Sequence, residues 1–223
     1  MRIYAHRGAS GEFAEGSQAA YLAAIEQGCD GFECDVRLTK DKQIICYHDK
    51  DLMRLFGLDL VIAESTYSQL TERLDILRFN QLLELAILNK KDLIIEFKHP
   101  VPTGAEVERR VHKLLTSRAD EITKSGIEII LISFSYFASL RNKKSPYSSG
   151  YLINRKFLSI FNPTRFTIAN IEIIKSNYLF VLNEKRKGRQ VIAWTVNNLT
   201  DLKLCKDLEV YGVITDYPGH KSH

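Results

Sequence analysis

Gly31-Phe32-Glu33-Cys34-Asp35-Val36 sets an apolar side chain at every second position and a carboxylate between each pair. That period of two belongs to a strand, with Phe32, Cys34 and Val36 on one face and Glu33 and Asp35 on the other. Just upstream, residues 17–27 read as a helix: Ser17 suits the N-cap, Ala20, Tyr21, Ala24 and Ile25 share a face, and Gly28 suits the residue beyond the C-cap. Further out, strand patterns recur at 2–5, 43–47, 93–97, 127–133, 151–153, 190–196 and 212–215. Helical patterns fall at 79–88, 107–122 and 200–208. Strands interleaved with helices imply a parallel sheet flanked by helices. The strands that lead to or carry His6, Glu33, His48, Glu96, Ser133, Leu152, Trp194 and Ile214 number about eight, the count of a closed α/β barrel of the (β/α)8 or TIM type.

Two stretches make the expected barrel a distorted one. Arg37 to Lys42 is too short for a helical crossover, which needs about a dozen residues. One helix is therefore expected to be missing after strand 2. The segment at about 50–92 is longer than one helix requires, so a small helical insertion is expected after strand 3. No linker or repeat divides the chain, and 1–223 reads as one domain with that insertion.

The 223 residues, 45% hydrophobic and 26% charged, suit an ordinary globular chain with one sizeable core. No apolar run reaches the ~18 residues of a transmembrane helix, and the opening Met1–Ala5 reads as a strand rather than a signal peptide. Cys29, Cys34, Cys46 and Cys205 form no C-x-x-C pair, which argues against zinc and fits a reducing, cytoplasmic setting. The net charge of +4 is mild, and its clusters at 141–144 and 185–189 read as a solvated loop and a helix end. No basic stripe or motif points to nucleic acid.

The chemistry lies in the inward acids. Inside a parallel barrel Val, Ile and Leu are the rule, and a buried carboxylate costs several kcal/mol unless paired or bound to a cation. Glu33 and Asp35 break that rule, and Glu96 repeats the offence in Ile94-Ile95-Glu96-Phe97-Lys98. Three converging carboxylates make a hard oxygen site for Mg²⁺ or Ca²⁺; the alternative is a buried ion-pair network with Arg7, Arg37 and Lys98. His6 and His48 stand at strand ends, where barrel active sites lie, and their pKa range suits acid/base catalysis. Arg7 and Lys98 offer donors to phosphate oxygens. Trp194, on a face with Ile192 and Val196, can line a substrate pocket or simply fill the core. His99, His112, His220 and His223 show no comparable pattern.

Together, His6-Arg7-Gly8, Glu15-x-Ser17, Glu33-Cys34-Asp35-Val36, His48-Asp49, Glu96-Phe97-Lys98, Ser133-Phe134, Trp194-Thr195-Val196-Asn197 and Ile214-Thr215-Asp216-Tyr217-Pro218 resemble, in order and spacing, the glycerophosphodiester phosphodiesterase family. The resemblance runs from about Ile3 to Pro218. It implies metal-dependent hydrolysis of glycerophosphodiesters to glycerol 3-phosphate and an alcohol. Glu33, Asp35 and Glu96 would be metal ligands, His6 and His48 the acid/base pair, Arg7 and Lys98 phosphate contacts, and Trp194 a wall of the substrate pocket. Lysophospholipid hydrolysis, as in related lysophospholipase D enzymes, and phosphoester binding without cleavage are the alternatives. The chain departs from the family loop Pro-Glu-Asn-Thr, where it has Ala14-Glu15-Gly16-Ser17, and from the glycine usual at Lys42.

Overall fold

A computed structural model describes residues 1–72 and 74–220, so His223 lies outside the described residues. The chain opens with β1 (Arg2–His6) and α1 (Gln18–Glu26), then β2 (Gly31–Leu38) and β3 (Ile44–Cys46). The inserted segment carries α2 (Met53–Phe56), a 3₁₀ turn at Ile62–Glu64 and α3 (Tyr67–Thr71), before α4 (Phe79–Leu88) and β4 (Asp92–Phe97). Next come α5 (Glu106–Ser117), α6 (Ala119–Ser125), β5 (Ile129–Ser133), α7 (Tyr136–Asn142), β6 (Ser148–Ile153), a 3₁₀ stretch at Lys156–Phe161 and β7 (Phe166–Asn170). Finally α8 (Ile171–Ser176) and α9 (Leu179–Arg186) lead to β8 (Gln190–Trp194), α10 (Leu199–Asp207) and β9 (Gly212–Thr215).

The strands follow the order β1-β9-β8-β7-β6-β5-β4-β2, and β1 pairs with β2 to close the barrel. All of these neighbours are parallel, giving the eight-stranded TIM-type barrel. One strand of the expected eight differs. β3 pairs with β2 in antiparallel register, Val36 opposite Cys46, and is not a barrel stave. The six-residue link is a hairpin, which needs no crossover helix. β7, absent from the sequence reading, takes the eighth place. Val36 pairs with Phe97 of β4 on its other edge, so β3 lies on the β1 side of β2, above the point where β1 ends. The helix expected over 107–122 is broken at Arg118 into α5 and α6.

Outside the barrel, Phe32, Cys34 and Val36 pack with Tyr21 of α1, with Phe79, Leu82 and Leu83 of α4, and with Val107, Val111 and Leu115 of α5. Ser17 accepts a bond from the Ala20 amide (3.1 Å) and so caps α1 as its sequence demands. Inside, Tyr4, Ile94, Ile130, Ile132, Leu152, Phe166, Ile168, Ile192 and Ile214 fill the lower barrel. Tyr4 plugs the floor: a Cβ at Gly31 or Gly212 would come within 2.8 Å of its ring, so both positions need glycine for close approach. The insertion has its own small core of Ile45, Tyr47, Leu52, Ile62, Leu70 and Ile76. Among the described residues, no helix is long and apolar enough to cross a membrane.

Candidate active site

Above that apolar filling, the interior turns acidic. Glu33 and Asp35 on β2 and Glu96 on β4 are all buried, and Asp35 and Glu96 are register partners. One oxygen from each of the three lies within 4.8 Å of the others. Two of the expected cations close in. Arg7 Nε is 2.8 Å from Asp35 Oδ2, and Lys98 Nζ is 2.7 Å from Asp35 Oδ1 and 2.6 Å from Glu96 Oε1. Arg37 turns elsewhere and donates twice to the His48 carbonyl, at 2.9 and 2.7 Å.

An ion-pair network therefore accounts for Asp35 and Glu96 but not for Glu33. Among the described residues, the only basic side chain within 4 Å of its carboxylate is His6, whose Nε2 lies 3.9 Å from Glu33 Oε2. Burial drives the Glu33 pKa well up, Asp35 adds to the rise, and Arg7 does not offset them. Burial and the Asp35 charge likewise push Glu96 up to about 7 despite Lys98. Asp35 is held well below the ordinary value, since Lys98 and Arg7 outweigh its burial. Glu33 Oε2 and both Asp35 oxygens are buried without a well-formed hydrogen bond. A cluster of oxygens with unspent acceptor capacity and one acid too many fits a hard divalent cation.

Two imidazoles flank the cluster. His6, at the end of β1, has Nδ1 2.6 Å from Asp216 Oδ1, just past β9. Asp216 also accepts bonds from Ser10 Oγ (2.9 Å) and Asn197 Nδ2 (2.5 Å), and its own amide donates to Asn197 Oδ1 (2.9 Å). His48 reaches the mouth on the return of β3, not at the end of a barrel strand: the Tyr47 amide bonds the Asp35 carbonyl at 3.0 Å. Its Nδ1 is 2.7 Å from Asp49 Oδ1. Because an ionised carboxylate only accepts, each ring donates through Nδ1, which leaves Nε2 for chemistry. Burial lowers the His48 pKa, Lys98 and Arg7 add to this, and nearby Asp35 opposes it. At neutral pH that favours a neutral ring able to take a proton.

Trp194 stands on β8 at the rim. Its Nε1 donates to the Ile168 carbonyl (3.1 Å), and Phe134 meets it edge-on at 5.5 Å. It packs with Ile192, whereas Val196 lies past the strand end and joins the outer core. Gly16 has φ +74, and a small cleft beside it is lined by Arg7, Glu15, Asp35 and His48. Glu15 accepts from Arg7 and, twice, from Arg54. Asp216, Asp49, Glu15 and Arg54 carry no role in the sequence reading. A signal existed for Asp216, which continues the inward face of Ile214; none existed for Arg54.

A parallel barrel whose mouth brings buried carboxylates together with two histidine–aspartate couples holds the groups that a hydrolase of phosphoric esters requires. The sequence pattern of the Glycerophosphoryl diester phosphodiesterase family matches residues 6–220, and the chain belongs to that family. It is thus a phosphoric diester hydrolase. A Mycobacterium tuberculosis protein named Probable glycerophosphodiester phosphodiesterase 1 is 28% identical, over 97% of this chain and 89% of its own length. Human Lysophospholipase D GDPD3 is 25% identical, over 100% of this chain and 84% of its own. The crystal structure of the Thermotoga maritima glycerophosphodiester phosphodiesterase, 27% identical, superposes with a TM-score of 0.83 and covers 98% of this chain and 96% of that one.

Proposed function

We propose that the chain hydrolyses small glycerophosphodiesters to glycerol 3-phosphate and an alcohol, with Glu33, Asp35 and Glu96 holding Mg²⁺ or Ca²⁺ and with His6 and His48 as the acid/base pair. The observation that carries this reading is the uncompensated Glu33, in a carboxylate cluster whose near neighbours include His6 beside Glu33 and His48 beside Asp35, each ring oriented by an aspartate. A bound divalent cation supplies positive charge for a non-bridging phosphate oxygen. One imidazole takes the proton of the attacking nucleophile, which is water itself or the neighbouring glycerol hydroxyl with water then opening the cyclic phosphate, and the other gives a proton to the leaving alkoxide. Asp216 and Asp49 fix the tautomers and stabilise whichever ring is charged. Arg7 and Lys98 donate to the phosphate, and Trp194 walls the space for the organic part of the substrate. The four cysteines are free and buried, in keeping with a reducing cytoplasmic setting.

The test is release of glycerol 3-phosphate from glycerophosphocholine and glycerophosphoethanolamine, with Mg²⁺, with Ca²⁺ and in excess chelator. Turnover that is lost in chelator is expected. Full turnover without the ion would overturn the metal assignment. Met53, Leu55 and Phe56 stand exposed on α2 beside the mouth, and this apolar rim favours a second reading in which the substrate is a lysophospholipid. If lysophosphatidylcholine is cleaved faster than the small diesters, and Leu55→Ser or Phe56→Ser abolishes that preference, the second reading replaces the first.

A further inference from the structure

One side chain outside every motif ties the insertion to the site. Arg54, on α2, donates from Nε to Asp49 Oδ2 at 2.6 Å, the carboxylate whose other oxygen orients His48. Its two terminal nitrogens donate to both oxygens of Glu15, at 3.0 and 2.6 Å. Glu15 in turn is anchored by Arg7 Nη1 at 3.0 Å. The guanidinium thus spends three donors of its rigid fork on two carboxylates, an arrangement a lysine cannot reproduce.

An exposed pair of this kind would be worth little as a stability element. Arg54 differs in its acceptors and its platform. The side chains of Glu15 and Asp49 are only 18% and 22% exposed, against 47% for Arg54, and each acceptor touches a residue of the site. The platform is firm as well: Leu52, just before α2, is fully buried in the insertion's core, its amide bonds the Leu60 carbonyl, and Asp51 bridges to Val61. Among the described residues, Arg54 is the side chain that holds Asp49 Oδ2 while Oδ1 meets the His48 ring.

We propose that Arg54 is a positioning residue for the hydrolytic reaction: held by Glu15, it fixes Asp49 and through it the rotation and tautomer of His48. The insertion is then part of the catalytic apparatus and not only a rim. This rests on the reading of His48 as an acid/base group.

The experiment compares Arg54→Met, Arg54→Lys and Arg54→Ala with the parent on glycerophosphocholine at saturating divalent ion, together with His48→Ala and the Arg54→Met/His48→Ala double variant. A ring turned out of line should lower kcat about 10- to 100-fold in Arg54→Met and leave KM within about threefold. Arg54→Lys should fall between it and the parent. Added ethylguanidinium should restore part of the kcat of Arg54→Ala, a rescue that a merely structural role would not give. In the His48→Ala background, Arg54→Met should cost no more than about threefold further. The inference fails if His48→Ala is crippled while Arg54→Met turns over normally. It fails also if the loss lies in KM alone, or carries over undiminished into the His48→Ala background. Near-normal turnover in His48→Ala would overturn the acid/base reading itself, and the inference with it.

Discussion

Asp216→Asn keeps the size of the side chain and removes its charge. In the native chain burial opposes that charge, but His6, Asn197 and Ser10 outweigh it and hold the carboxyl at about 2, below the ordinary 3.8. At about 1.4 kcal/mol per decade, this depression is worth roughly 2–2.5 kcal/mol, shared among the three donors. An asparagine can turn its oxygen to His6 and Ser10, but its amide then faces the Asn197 Nδ2 donor. It cannot use the Asn197 oxygen, whose two lone pairs already take the backbone amide of residue 216 and Thr215 Oγ1. The ring therefore loses a charged acceptor, a change of about 1.5–3 kcal/mol. Realised in the transition state, that loss is about 10- to 100-fold in kcat. Steady-state turnover of glycerophosphocholine, with thermal unfolding followed in parallel, reads the effect. Native kcat in a folded Asp216→Asn protein would refute the claim that Asp216 orients a catalytic His6.

Two further outcomes follow from the same geometry. A Cβ at Gly16 would meet only the Cys46 carbonyl, at 3.4 Å, and asparagine tolerates φ +74 better than most residues. Gly16→Asn should raise kcat/KM about 5- to 100-fold by returning one polar contact to the cleft; a fall in kcat/KM without loss of stability would mean that the loop is built around a different leaving group. Glu184, buried against Thr167, Lys187 and Arg189, has its pKa held below the ordinary value by these partners in spite of its burial. A depressed carboxylate pKa stabilises the fold above the ordinary value and ceases to do so as pH falls through the folded one. Glu184→Gln should therefore lose about 1–3 kcal/mol in urea unfolding at pH 7, with the gap narrowing as pH drops through the carboxylate range. A gap that stays constant with pH would contradict this account.

The barrel was legible because its strands and helices alternate and because Glu33, Asp35 and Glu96 break the apolar rule for an interior face. The eighth strand was harder to see. Phe166–Asn170 is short, follows Pro163, and runs into α8 with no loop between them, so no turn signal marks its end. A strand at Ile44–Cys46 has the same local pattern whether it forms a stave or a hairpin arm; only the shortness of the Arg37–Lys42 link separates the two. In the site, residues that violate local expectation stood out, whereas residues that act by pairing did not. Arg54, on α2, and Glu15, in the loop after β1, are 39 positions apart, and their meeting is a product of the folded insertion.

The central claim is that Glu33 is a ligand of a divalent cation. Calorimetric titration of the purified chain with Mg²⁺, Ca²⁺ and Mn²⁺, alongside turnover, tests it most directly in the Glu33→Gln variant. The parent should bind a divalent ion and need it for activity. Glu33→Gln should bind it at least about 10-fold more weakly and lose turnover, while the ion-free protein unfolds at the same temperature or higher because a buried carboxyl has been removed. Unchanged ion affinity in Glu33→Gln, or full turnover of the parent in excess chelator, would contradict the account.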